Sequence, residues 1–154
     1  MTLSPRKSSA APTRPADSEA LPSPRRTAVR ATPADIQARV REAVAAAHDT
    51  KAENVRVRHL EPVTSFTDYF VIASATNERQ VQAIANAVED RLLKQGVKPL
   101  HIEGYTSAQW VLLDYGDFLV HALLEERRDY YALERLWRDA PEVTADFAPP
   151  EPAS

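Results

Sequence analysis

Two carboxylates in the stretch WVLLDYGDFLVHAL (110–123) are the first candidates for chemistry in this 154-residue chain. Asp114 and Asp117 flank Gly116 inside an otherwise apolar run. Acids that converge can hold two metal ions roughly 3.5–4 Å apart and drive nucleotidyl transfer. Such an enzyme also needs a phosphate-binding loop. The chain has only Gly96, Gly104 and Gly116, with no Gly-Ser before a spaced acid pair and no Walker pattern. The plainer reading is a hairpin turn, in which Gly116 supplies a positive φ and an aspartate at the edge accepts from nearby amides. His48, His59, His101 and His121 fall in four different elements, and none pairs at the i, i+4 spacing of a helical metal site. His121, inside an apolar strand, reads as a hydrogen-bonded core histidine. The chain has no cysteine, so disulfides and thiolate zinc sites are excluded, and a reducing cytosol fits. No catalytic residue, metal or cofactor is expected.

These side chains need a scaffold, and its elements follow from pattern. Thr32, Pro33 and Asp35 form a helix start signal, followed by Ile36, Val40, Val44 and Ala47 at helical spacing. NVRVRHL (54–60) alternates like a half-exposed strand, whereas DYFVIAS (68–74) reads as a strand buried on both faces. Thr76 or Asn77 caps a second helix with the stripe Val81, Ile84, Val88, Leu92, ended by Gly96. A weak strand over 97–103 completes a βαβ crossover. QWVLLDY and DFLVHALL are two short strands around the Tyr115-Gly116 turn. A last helix over 129–137 packs through Tyr130, Leu133 and Trp137. The predicted order is α-β-β-α-β-β-β-α, one α/β domain with a mixed five-stranded sheet flanked by helices.

That domain spans 32–140. Residues 1–31 carry five prolines and few large apolar groups, so they read as a disordered extension whose prolines disfavour an organellar presequence. The proline-rich tail 141–154 is expected to fray. Charge divides the same way: residues 1–30 hold six Lys/Arg against two acids, and the rest 13 against 20. A body at −7 repels phosphate, so specific recognition of bare nucleic acid is not expected, while a basic protein partner is favoured. No apolar run approaches the roughly 18 residues of a membrane span.

The segments TDYFVIASATNERQVQAIANAVED (67–90) and EGYTSAQWVLLDYGDFLVHALLEERRDYYALERLWRDAP (103–141) resemble the ribosomal silencing factor family, known in plants as Iojap. The resemblance spans about 33–141. It rests on Thr-Asp before an apolar strand, Arg-Gln opening a helix, the run Trp-x-x-x-Asp-x-Gly-Asp, and Leu-Glu-x-Leu-Trp, all in order. It implies a nucleotidyltransferase-like fold without catalysis and a cytoplasmic bacterial protein. It further implies binding to the large ribosomal subunit through ribosomal protein uL14, a steric block of subunit joining under nutrient limitation, and members that can dimerise.

Strand alternation puts Trp110, Leu112 and Asp114 on one side and Val111, Leu113 and Tyr115 on the other. Trp110 is either a core residue or, as the resemblance favours, an aromatic anchor at an interface. Leu112, Asp114, Tyr105 and Asp117 join it as candidate partner-binding residues, with Glu103 and the Glu125-Glu126 pair as further acids nearby. Asp68 reads as a strand-entry cap, and Glu134-Arg135 as a surface charge pair beside a core Trp137.

Overall fold

Pro33 opens helix α1 (Pro33–Asp49), with Asp35 in its first turn. A proline costs no helical hydrogen bond at that position, and an acid is favoured beside unpaired amides. Ile36, Val40, Ala43, Val44 and Ala47 are buried along one face. The structure, a computed structural model, describes residues 31–131 and 139–149. The expected extension 1–30, the expected packing of Tyr130, Leu133 and Trp137, the Glu134-Arg135 pair and residues 150–154 lie outside what is described.

Strand β1 (Glu53–His59) buries Val55 and Val57 and exposes Arg56, the expected alternation. Strand β2 (Tyr69–Ala75) is buried at every position. Helix α2 (Glu78–Leu93) is capped by Asn77, whose Oδ1 accepts the Gln80 N–H at 2.8 Å. Gln80 Oε1 in turn accepts the Thr76 N–H at 3.0 Å, and its Nε2 donates to the Thr50 and Lys51 carbonyls. The Arg-Gln motif is therefore a cap that also ties α2 to the end of α1. Strand β3 has only three residues (His101–Glu103) rather than the expected seven. Pro99 has no N–H for a ladder, which keeps the strand short. Strands β4 (Trp110–Asp114) and β5 (Phe118–Leu124) follow, and β5 runs straight into α3 (Glu125–Tyr131), four residues ahead of the expected start.

The sheet order is β1-β2-β5-β4-β3, with β2 and β5 parallel and every other pair antiparallel. The mixed five-stranded sheet and the element order agree with expectation. The crossover β2-α2-β3 joins strands that point the same way, but β5 and β4 lie between them. Burial explains the placement: β5 has six of its seven residues buried and takes the centre, whereas all three residues of β3 are exposed.

The tail departs from expectation, because Pro141–Phe147 does not fray. The His59 N–H donates to the Pro141 carbonyl at 2.9 Å, and the Val143 N–H to Val57 at 2.8 Å. The Val57 N–H reaches the Thr144 hydroxyl, and Arg56 and Arg58 reach the Glu142 carboxylate at 3.1 and 3.8 Å. Without the tail, these β1 main-chain groups would be unpaired at a sheet edge, which gives the proline-rich segment something to bind. The short helix α4 (Thr144–Phe147) then buries Phe147 edge-on against Tyr69, ring centroids 5.4 Å apart, under the Arg41 guanidinium. Phe147→Ala is expected to cost about 3 kcal/mol, the scale of a buried aromatic truncation. Urea unfolding of the full chain checks it.

Candidate functional site

The candidate residues on β4 alternate as the pattern requires. Trp110, Leu112 and Asp114 are half-buried, and Val111 and Leu113 are fully buried. Register places Trp110 opposite Leu123, Leu112 opposite His121 and Asp114 opposite Leu119 on β5. On the other side Glu103 of β3 stands opposite Leu112. Trp110 and Leu119 pack on a buried cluster of Leu60, Phe70, Ile72, Leu123 and Ala140. Trp110 is thus neither plain core nor a free anchor. One part of its ring closes a second core, and the rest stands at the surface.

A polar contact sets that orientation. The Trp110 indole N–H donates to Nδ1 of His121 at 3.0 Å, on the adjacent strand. An acceptor at Nδ1 places the ring proton of neutral His121 on Nε2. Burial pushes His121 down from its ordinary 6.5 to about 4, so at neutral pH the ring stays uncharged and keeps its lone pair for the indole. Phe70 meets the same imidazole edge-on at 4.9 Å. The expectation of a hydrogen-bonded core histidine holds.

Different devices hold the two ends of β4. At its start, a Cβ on Gly104 would lie 2.1 Å from the Trp110 carbonyl oxygen, and the residue has φ +81°. Only glycine permits that approach. The following loop is held by Ala108 N–H to the Gly104 carbonyl and by Gln82 Nε2 to the Tyr105 carbonyl, which leaves Tyr105 39% exposed. At its end, Asp114 Oδ1 accepts the Gly116 N–H at 2.8 Å, and the Asp117 carbonyl accepts the Asp68 N–H at 2.9 Å. The acid pair is a turn, the plainer of its two readings. Five strand residues separate these ends by roughly 13 Å. Trp110, Leu112 and Asp114 therefore form one row along β4, with Tyr105 in the loop before it and Asp117 in the turn after it, and Asp114 is partly engaged by that turn.

Asp68 caps its strand through the main chain, its carbonyl accepting the Leu60 and Glu61 N–H groups. Glu125 opens α3 and accepts from the Asn54 amide, so of the Glu125-Glu126 pair only Glu126 is exposed. Among the described residues, no three His, Cys, Asp or Glu side chains cluster as metal ligands. Sequence reasoning missed Leu119, which shares the face with Asp114, and the exposed Phe66 and Leu100. An aromatic within the polar loop EPVTSFTD was a usable signal for Phe66. Leu119 had none, since its register with β4 is a tertiary fact.

A family model described as "Ribosomal silencing factor during starvation" matches residues 33–154. The chain is 40% identical over 105 residues to the Ribosomal silencing factor RsfS of Bacillus subtilis, covering 68% of this chain and 89% of that protein. It is 35% identical over 89 residues to the mouse Mitochondrial assembly of ribosomal large subunit protein 1, covering 56% and 39%. A crystal structure of a Chromobacterium violaceum protein superposes with a TM-score of 0.65 at 37% identity, over 67% of this chain and 86% of that one.

Trp110→Phe keeps most of the packing but leaves His121 Nδ1 without its donor. A loss of about 1–3 kcal/mol is expected in denaturant unfolding. The depressed His121 also predicts a pH dependence. As pH falls below about 6.5 the unfolded chain takes up a proton that the folded chain refuses until about 4, so stability present at neutral pH is lost across that window. The group contributes about 3 kcal/mol to this loss. In His121→Gln, which retains an acceptor but does not titrate, that part of the slope should vanish from unfolding curves taken between pH 7 and 4.

Proposed function

Because this chain belongs to the ribosomal silencing factor family, we propose that it binds the large ribosomal subunit through ribosomal protein uL14 and blocks joining of the small subunit when nutrients are limiting. The mechanism is occlusion, with no bond made or broken. The observation that carries the reading is the row on β4: a half-exposed Trp110 locked by His121, with Leu112 beside it and the acids Asp114 and Asp117 at the far end. A pre-oriented aromatic costs little entropy on docking, and its apolar surface is what interface centres use. The acids suit a basic partner, as does the −7 balance of residues 31–154. Asp114 and Asp117, tied into a turn, supply charge to that surface rather than chemistry. The family description, with its reference to starvation, supports the nutrient link. The mouse relative's name supports the large subunit as the target. The family resemblance also implies that this chain can pair with a second copy of itself.

Trp110→Ala, with folding confirmed by circular dichroism, should abolish co-sedimentation with purified large subunits. Leu112→Ser, which leaves the His121 contact in place, should weaken it at least tenfold. Wild-type protein in excess should suppress the joined-ribosome peak in a sucrose gradient when small subunits are added. An undiminished peak would remove the occlusion mechanism.

A further inference from the structure

The two edges of the sheet are treated differently. Along β1 the segment Pro141–Thr144 supplies partners for the main chain. At β3 no further strand pairs among the described residues. Register settles which peptide group faces outward. The Leu124 N–H donates to the Gln109 carbonyl, so residues 109, 111 and 113 turn their main chain toward β5, and 110, 112 and 114 turn theirs toward β3. His101 and Glu103, opposite Asp114 and Leu112, are used inward. The N–H and C=O of Ile102 point to the open side.

That open side borders a groove of about 580 Å³ between β3 and the end of α2. Its apolar lining includes Leu93, Leu100 and Ile102, of which Leu100 is 75% exposed. Glu89 and Asp90 stand on its α2 wall against a single Lys98. Glu103, opposite Leu112 on the other face of the strand, holds His101 at 2.7 Å and is within reach of the alternate side chains of an added strand. Exposed leucines beside an unpaired edge are a liability unless something covers them. Two carboxylates against one lysine on the groove, with Glu103 on the other face of the strand, favour a cationic occupant, and a second copy would set those acids against themselves. β3 also adjoins the Leu112 row directly, so one partner can touch both.

We propose that this groove receives an extended, Lys/Arg-bearing segment of a large-subunit protein as a sixth strand. Its main chain pairs with Ile102, an apolar side chain sits on Leu93 and Leu100, and basic side chains meet Glu89, Asp90 and Glu103. The proposal rests on the large-subunit reading above and deepens it.

The test uses the full chain and purified large subunits. In the wild-type complex, hydrogen exchange at the Ile102 amide should slow at least tenfold relative to free protein. Ile102→Pro removes the outward N–H and trims an apolar side chain of the groove while leaving the inward pairing of His101 and Glu103 in place, and Leu100→Ser changes an exposed side chain; each should weaken co-sedimentation at least tenfold. Unchanged exchange at Ile102, with both variants binding as wild type while Trp110→Ala does not, overturns the groove and leaves the face reading standing. Failure of wild-type protein to bind large subunits at all removes both. If Ile102→Pro changes only the self-association of the free protein, the groove seats a second copy and the proposal falls. Should that variant misfold, Leu100→Ser and the exchange at Ile102 decide alone.

Discussion

Every side chain of β2 is buried, and β2 lies in register beside β5 from Tyr69–Phe118 to Ala75–Leu124. Two adjacent strands with almost no solvent-facing side chain must be covered above and below, and the rest of the architecture answers that requirement. On one face, Val71, Val120, Val111 and Leu113 meet the stripes of α1 and α2. On the other, among the described residues, Leu60, Phe70, Ile72, Leu123 and Ala140 make a second cluster against which Trp110 and Leu119 pack, both partly exposed.

That second cluster is also where polar groups enter. His121 sits in it uncharged and is productive there because the Trp110 N–H occupies one ring nitrogen. Buried polar pairs of this kind stabilise little net but penalise alternatives strongly, so they specify one arrangement. Here the specified quantity is the orientation of the indole at the rim. Gly104 acts to the same end from the backbone, since the loop before β4 closes only if no Cβ stands against the Trp110 carbonyl. The indole and the loop before it are held in one arrangement by these local constraints.

The sheet edges continue the theme. The β1 edge is closed by the chain's own tail through main-chain bonds, the Glu142 ion pairs and Phe147. The Thr144 hydroxyl and the Arg56 guanidinium hold the Glu142 carboxyl below its ordinary range, so that latch is charged at neutral pH. The β3 edge has no such strap among the described residues, and it lies next to the row that carries the candidate contacts. Closure at one end and openness at the other give the fold a direction.

Local sequence determined a good deal of this protein. The period-2 burial of β1, the unbroken apolar run of β2, the helical stripes, the Asn77 cap and the Asp114-Gly116 turn are properties of neighbouring residues, so pattern sufficed to read them. The family motifs were legible for the same reason. Tertiary structure alone decided that β5 lies between β2 and β4, that Trp110 meets His121 eleven residues on, and that the tail docks on β1. Each of these depends on which strands become neighbours. Neighbours are chosen by the total burial the sheet achieves, a quantity no local stretch of sequence contains.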